Sequence, residues 1–281
     1  AVGQLGLVVY AVGCGGVIAS RFHLVSHAVF KGLLFLSAGA IIHALGTREL
    51  ARMGGLGRVM PFTRLAFGVG ILALMGVPIF NGFWSKELIF EASLTGAPQF
   101  FTLVMLFTAG LTALYAVRLM MLVFYGQARA EHHTHDAPPM MRIALGVLSV
   151  ATLTTWLLAN PFAALLHDTL PAHALEIHGD LLLDVLRAPI TLMALAVITV
   201  GVALWFMRGL FTPLMSLWRA LTRISETDFG FSPLAVWVTR GTQGAGSALR
   251  VLHSGQLNWN AAGIVGGVVI VLAVLTLGGG L

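Results

Sequence analysis

The chain has 281 residues, of which 58% are hydrophobic and only 10% are charged, and its mean hydropathy is +0.91. Soluble domains carry about a quarter charged residues, so this composition excludes an ordinary soluble protein and indicates a membrane protein. The net charge of +5 does not indicate nucleic-acid binding, because the arginines are spread over loops. The single cysteine, Cys14, excludes an internal disulfide and a thiolate metal cluster, and we expect it to pack as a small apolar residue.

Seven stretches are apolar over the roughly 20 residues that a helix needs to cross a bilayer. We letter these spans A to G, and they cover residues 5–20, 22–45, 63–83, 99–125, 141–164, 188–207 and 260–280. They predict an all-α, polytopic membrane helix bundle with one discontinuous helix. We expect a main domain at 1–207, a lateral or amphipathic connecting segment at 208–258 and a final anchor helix at 259–281. Because the chain opens at Ala1 directly on apolar sequence, we expect it to be part of something longer.

Basic and acidic loops alternate along spans B to F. The C–D and E–F loops are acidic, and we expect Glu91 of the C–D loop to be a solvated loop acid. By the positive-inside rule, loops B–C, D–E and F–G should face the cytoplasm. These loops carry Arg48, Arg52, Arg58, Arg64, Arg129, Arg142, Arg208, Arg219 and Arg223.

Only two of the 16 Lys and Arg residues are lysines, and both lie in apolar surroundings. Lys31 is in the middle of span B, and Lys86 follows an interruption of span C. A lysine at mid-bilayer costs about 2.5–3.5 kcal/mol on insertion scales, so such residues usually have a function. Lysine can release and regain a proton, whereas arginine stays charged. The two lysines therefore predict proton exchange.

His23, His27 and Lys31 recur at every fourth residue of span B. This spacing places all three on one stripe of a helix. Histidine can pass a proton through either ring nitrogen, so the stripe predicts a proton relay. His43 lies farther along span B and is a further relay candidate, although helical geometry does not place it on the stripe. The alternative for His43 is a hydrogen-bonded interfacial histidine.

Gly76, Pro78 and Gly82 predict a break in span C, because Pro removes a backbone donor and Gly weakens a helix. Broken helices at membrane depth expose backbone ends that can stabilise ions. Lys86 and Glu87 directly follow this break. Glu87 is a candidate proton acceptor or partner of a base, and the alternative is an acid that favours the start of a helix.

Residues 132–136 read His-His-Thr-His-Asp, a set of side chains that suits zinc or nickel. The cluster lies in a predicted loop beside Pro138 and Pro139, and nothing distant in the sequence clearly completes a site. We therefore expect a solvated loop and no metal site.

Several motifs resemble the antiporter-like subunits of respiratory complex I, in particular the NuoL type, within the wider Mrp-type family of proton-conducting transporters. They are HxxxHAxFKGLLFLxAG at 23–39, His43, MGGL at 53–56, Met60-Pro61, Gly76-x-Pro78 and GFWSK at 82–86. The resemblance implies that the chain is the C-terminal half of such a subunit. It makes Lys31 the central proton-carrying lysine, with His23 and His27 connecting to it, and makes Lys86 and Glu87 the exit pair.

The resemblance further implies a proton-translocating membrane-arm subunit of an NADH:quinone oxidoreductase in the bacterial inner membrane. It implies no cofactor on this chain, with FMN, iron–sulfur clusters and quinone in partner subunits. The expected partners are other membrane-arm subunits, the lipid bilayer and protons, with Na⁺ as an alternative ion. Alternative functions are a subunit of a multisubunit Na⁺/H⁺ antiporter, a membrane-bound hydrogenase or an inorganic-carbon pump, or a non-conducting structural subunit.

Overall fold

The computed structural model describes residues 2–127, 135–159, 161, 188–209, 231–252 and 257–278. All regular elements within these ranges are helical. The α-helices there are α1 (Val2–Gly13), α2 (Val17–Leu45), α3 (Pro61–Met75), α4 (Asn81–Gly96), α5 (Gln99–Met120), α6 (Pro139–Thr154), α7 (Pro189–Phe206), α8 (Phe231–Leu252) and α9 (Leu257–Gly278). The chain divides into two compact units, Ala1–Gly209 and Leu210–Leu281.

The all-α membrane fold is confirmed, whereas the count of seven spans stays a prediction. Among the described residues, four helical stretches are long and apolar enough to cross a membrane: Val17–Leu45, Gln99–Tyr125, Pro139–Leu158 and Pro189–Gly209. Shorter apolar helices cover Val2–Gly13, Pro61–Met75 and Ala261–Val274. The short helices correspond to predicted spans A, C and G.

Span A differs from its predicted boundaries, because a turn divides residues 5–20. Helix α1 ends at Gly13 and α2 begins at Val17. Gly15 between them has a φ of +81°, a left-handed conformation that glycine adopts without steric cost. Cys14 lies in this turn and is half-buried.

Helix α2 is the centre of the first unit and packs against α1, α3, α4 and α6, while α5 packs against α7 and α3. One apolar cluster surrounds Phe30, Leu33 and Leu56, and a second surrounds Phe22 and Ile89. Many large apolar side chains on the outside of these helices are exposed, as expected of helices that face lipid. The buried polar residues of α2 and α4, among them His23 and Lys86, are therefore held between helices.

The predicted interruption of span C lies between α3 and α4. Gly76 has a φ of +86° and caps α3, and its N–H and that of Val77 both donate to the Leu72 carbonyl. Gly82 packs so closely on α3 that an added Cβ would overlap the Ala73 carbonyl oxygen. Glu91 is exposed, but it lies on α4, so its predicted place in a loop is wrong.

Hydrogen bonds join the segment before α3 to the segment after α5. A short π-helix, Met121–Tyr125, continues α5, and the carbonyls of Val123 and Phe124 accept the N–H groups of Leu56 and Gly57. Predicted loops B–C and D–E therefore share one side of the bundle, as the alternation of charge requires. The identity of that side as cytoplasmic stays a prediction.

The second unit contains α8 and α9. Helix α8 is amphipathic and contains Pro233 in its first turn, where no N–H is needed for an intrahelical bond. Within the predicted connecting segment 208–258, the described residues are 208–209, 231–252 and 257–258. The remainder of that segment and most of the E–F loop lie outside the described residues, so the lateral placement stays a prediction.

Candidate functional site

The three titratable residues of α2 lie on one stripe. His23 and His27 are buried, and Lys31, at the middle of the helix, is half-buried. The centroids of the two imidazole rings are 6.2 Å apart. The Lys31 Nζ lies 5.7 Å from the centroid of the Phe35 ring, close enough for a cation–π contact. The helix thus forms a row of proton-carrying groups that ends at His23.

His23 connects this row to α4. Its Nδ1 and the Ser85 Oγ are joined by a 2.9 Å hydrogen bond, and both side chains are completely buried. Ser85 directly precedes Lys86 in the sequence. The contact therefore brings the histidine stripe next to the second lysine.

Four buried polar atoms in the same region lack a hydrogen-bond partner among the described residues. They are His23 Nε2, His27 Nε2, Ser26 Oγ and Asn81 Oδ1. Buried polar groups are nearly always satisfied by protein or by ordered water. The interface between α2 and the start of α4 therefore has the chemistry of a water-binding path along the stripe.

Lys86 is buried and binds the end of the broken helix. Its Nζ donates a 2.5 Å hydrogen bond to the Leu74 carbonyl, which lies in the last turn of α3. The last carbonyls of a helix have no intrahelical partner and form the negative end of its dipole. The break between α3 and α4 thus provides a carbonyl that stabilises an ammonium group inside the bundle.

Glu87 has a different partner from its neighbour. The Thr191 hydroxyl of α7 donates a hydrogen bond to Glu87 Oε1, and both side chains are buried. Adjacent residues of a helix do not face each other, which explains why Lys86 binds α3 and Glu87 binds α7. Lys86 therefore contacts α3, and the next residue, Glu87, contacts α7.

His43 is not brought to the stripe. It is exposed in the last turn of α2, twelve residues beyond Lys31, which corresponds to about 18 Å along the helix axis. Its role as a relay residue stays a prediction.

Asp136 corrects the prediction of a solvated loop at 132–136. The side chain is buried, and its carboxylate accepts N–H groups of Phe62 at 2.7 Å, Thr63 at 3.2 Å and Ala137 at 2.7 Å, together with the Thr63 hydroxyl. Burial acts to raise the pKa of Asp136, but the hydrogen bonds from Thr63, Ala137 and Phe62 outweigh it and hold the pKa below its usual value. His135 is exposed, and His132 to Thr134 lie outside the described residues.

Several residues of the site were not predicted from the sequence. Ser85 and Asn81 belong to the motif around the break. Their hydrogen bonds to α2 could not be predicted, because the partners are distant in the sequence. Thr191 is a threonine in an apolar span, with nothing in the sequence to indicate its contact with Glu87. Gln4 of α1 is buried, although it lies just before predicted span A.

The chain is similar in sequence and in fold to several known proteins. Residues 1–112 match the family described as NADH:quinone oxidoreductase/Mrp antiporter, TM. NAD(P)H-quinone oxidoreductase subunit 5, organellar chromatophore 1, of Paulinella chromatophora is 34% identical over 212 residues, which are 62% of this chain and 31% of that protein. NADH-quinone oxidoreductase subunit L of Campylobacter jejuni is 39% identical over 160 residues, which are 57% of this chain and 27% of that protein. The chain thus spans less than a third of the length of these relatives.

The fold is similar to that of a solved Mrp complex from Dietzia sp. DQ12-45-1b. The TM-score is 0.64 at 24% identity, and the similarity covers 98% of this chain and 30% of that one. The sequence matches and the shared fold agree with the motifs at residues 23–39 and 82–86. Residues 1–112 are thus similar to the transmembrane family described for NADH:quinone oxidoreductases and Mrp antiporters.

Proposed function

We propose that this chain moves protons across a membrane through Lys31, His27, His23, Lys86 and Glu87. The observation that carries the proposal is the hydrogen bond between His23 and Ser85, which links the stripe of α2 to the helix that bears Lys86. A structural bundle has no need of two lysines and two histidines along one interface, because each buried ionisable group destabilises the membrane-embedded fold.

In the proposed mechanism, Lys31 gives its proton to His27, and His27 passes it to His23 through the water-binding path between α2 and α4. An imidazole can accept a proton on one nitrogen and release one from the other, so each histidine can be ready for the next proton after its ring turns or its tautomer resets. Lys86 receives the proton while it is bound to the Leu74 carbonyl, which favours its charged form. Glu87 then accepts the proton on the α7 side.

The named relatives are subunits of quinone oxidoreductases, and we propose the same setting for this chain. Other membrane-arm subunits would flank it in a bacterial inner membrane. FMN, iron–sulfur clusters and quinone would belong to partner subunits, whose redox reactions change the charges along the arm. This chain would then supply the proton path and no redox chemistry.

The similarity to an Mrp complex supports a second candidate function, which is cation/proton exchange. The same two lysines would serve it. A dependence of transport on Na⁺, without a requirement for NADH oxidation, distinguishes exchange from redox-driven pumping.

The test is proton transport by the whole assembly in reconstituted vesicles after Lys31→Ala or Lys86→Ala. We expect each change to abolish proton uptake coupled to NADH oxidation. Arg48→Ala is the matched control, because it removes a basic side chain from an exposed loop position. Unchanged proton uptake in both lysine variants, with the complex assembled, contradicts the proposed function.

A further inference from the structure

Ile79 has an unusual backbone conformation in the break between α3 and α4. Its φ is +84°, in the left-handed region, which a β-branched residue adopts only under steric strain. Such a conformation persists only where the surroundings hold it in place. Yet 66% of the surface of Ile79 is exposed, so the rest of this chain does not enclose it. The residue therefore needs contacts from outside the described part of the chain.

The break lies at the depth of the hydrocarbon core. After the break, Asn81 donates a 3.4 Å hydrogen bond to the Ser26 carbonyl of α2. Before the break, a Cβ added to Gly70 of α3 would meet the side chain of Leu34. Ser26 and Leu34 are within about 8 Å of Lys31, the middle residue of α2, along the helix axis. Since the core of a bilayer is about 30 Å thick, the break lies inside it.

The backbone of the break has polar groups without partners. Among the described residues, none accepts the N–H of Ile79 and none donates to the carbonyls of Pro78 and Ile79. Lipid cannot bond such groups. Non-helical backbone at membrane depth occurs only where protein covers it or where it lines a water-filled cavity. Lipid is therefore excluded as the native surrounding of Ile79.

The side chains of the break favour protein over water. Residues 77–80 read Val-Pro-Ile-Phe, so the segment offers no polar side chain to a water-filled cavity. An exposed isoleucine gains free energy when its apolar surface is removed from water. A protein surface that is apolar around this side chain, and polar opposite the free backbone groups, satisfies both requirements.

We infer that Ile79 anchors a docking surface for a transmembrane helix of a partner subunit. The partner helix is apolar at the contact and carries one serine, threonine, asparagine or glutamine. These side chains hydrogen-bond across helices in membranes, and each can donate to a carbonyl and accept from an N–H. The contact goes beyond the proposed proton path, because it assigns a second role to the break between α3 and α4.

The test compares the full chain alone in lipid nanodiscs with the assembled complex in the same lipid. Cys14→Ser combined with Ile79→Cys leaves one thiol, which carries a nitroxide label. Collisions with oxygen report contact of the label with lipid, and collisions with a water-soluble nickel chelate report contact with water. In the chain alone the uncovered position meets lipid, so we expect oxygen to relax the label. In the complex we expect this effect to be lost, with no effect of nickel in its place.

Val147→Cys in the same Cys14→Ser background is the matched control. Val147 is 63% exposed in the middle of the regular helix α6, so oxygen should relax its label in the chain alone. This result shows that the bundle is inserted in the bilayer.

Three results at residue 79 overturn the inference. Equal oxygen effects in the two samples mean that no partner covers the position. Relaxation by nickel in the complex means that water fills it, and dipolar broadening between two labels means that a second copy of this chain covers it. If the labelled variant does not assemble, the unmodified complex is irradiated with a lipid that carries a diazirine in its acyl chain. Modification of Ile79 in the complex then overturns the inference, whereas modification in the chain alone but not in the complex supports it. Neither measurement requires transport, so a failure here leaves the proton path standing.

Discussion

His23 and Ser85, which are 62 residues apart in the sequence, join α2 to α4 through a 2.9 Å hydrogen bond between the imidazole Nδ1 and the hydroxyl Oγ. The Ser85 hydroxyl also lies 3.4 Å from the Gly82 carbonyl, in the first turn of α4. One serine thus fixes the orientation of a relay histidine against the helix that carries Lys86. With Nδ1 bound to Ser85, Nε2 is the nitrogen of His23 that has no partner among the described residues.

Ser85→Ala should slow proton transport, because His23 loses the partner that holds its ring. Loss of one hydrogen bond of ordinary net strength predicts a decrease of about three- to tenfold. The measurement is the initial rate of proton uptake into vesicles that contain the assembled complex. Ser149→Ala removes a hydroxyl that bonds only its own helix, at the Leu145 carbonyl, and should transport normally. Equal rates for the two variants contradict the role of Ser85.

Thr191→Val should impair the last step of the path, because it removes the hydroxyl that donates to Glu87 and keeps the shape of the side chain. We expect transport to fall about three- to tenfold, the factor that corresponds to one hydrogen bond of ordinary net strength. Thr191→Ser retains the hydroxyl and should restore most of the rate. Thr199→Val, at an exposed position of the same helix where the hydroxyl bonds the Leu195 carbonyl, is the control. A Thr191→Ser variant as slow as Thr191→Val indicates a packing defect instead.

The sequence predicted those parts of the site that depend only on residues close together in the chain. Helical periodicity places His23, His27 and Lys31 on one stripe, and Gly76 with Pro78 marks the end of α3, since both effects act within one or two turns. The partners of these groups are distant in sequence. Thr191 is 104 residues from Glu87, and Asp136 is 73 residues from Thr63. Such contacts depend on how the helices pack, which no local pattern contains.

Two errors of prediction concern charged residues. Charge at Glu91 suggested a loop, but α4 continues to Gly96 because the polar residues of its first half are buried between helices. The polar run at 132–136 suggested a solvated loop, but Asp136 is buried because the first N–H groups of α3 need an acceptor. At Asp136 a tertiary partner determines the environment of a charged residue, whereas Glu91 is exposed on a helix that extends farther than its charge suggested.

Asp136→Asn should destabilise the protein, because the carboxylate caps α3 from another loop. The first N–H groups of a helix form the positive end of its dipole, and losing a capping side chain typically costs about 0.5–2 kcal/mol. The measurement is chemical unfolding of the purified chain in detergent. Glu49→Gln makes the same chemical change at an exposed loop carboxylate and should leave stability unaltered.

The pH dependence of the Asp136 contribution has a defined sign. Its pKa in the folded protein is below the usual value, so the folded state holds the proton less tightly than the unfolded state. The stabilisation is therefore complete above the usual Asp pKa of about 3.9 and is lost as the pH falls through the lower, folded-state value. Asp136→Asn should remove this part of the acid sensitivity. An unchanged acid profile in that variant contradicts the capping role.

Gly82→Ala should disrupt the break between α3 and α4, because the new Cβ would overlap the Ala73 carbonyl oxygen. A backbone oxygen cannot avoid the overlap by a change of rotamer, as a side chain can, so the two helix ends must separate. Overpacking of this kind typically costs about 1–3 kcal/mol. Separation of the ends also moves the Leu74 carbonyl from Lys86 Nζ, so we expect proton transport to fall together with stability. Gly39→Ala is the control, since an added Cβ on that exposed face of α2 meets no atom within 4 Å. Transport by Gly82→Ala at the rate of Gly39→Ala means that the close approach of α4 to α3 is not needed to hold Lys86 in place.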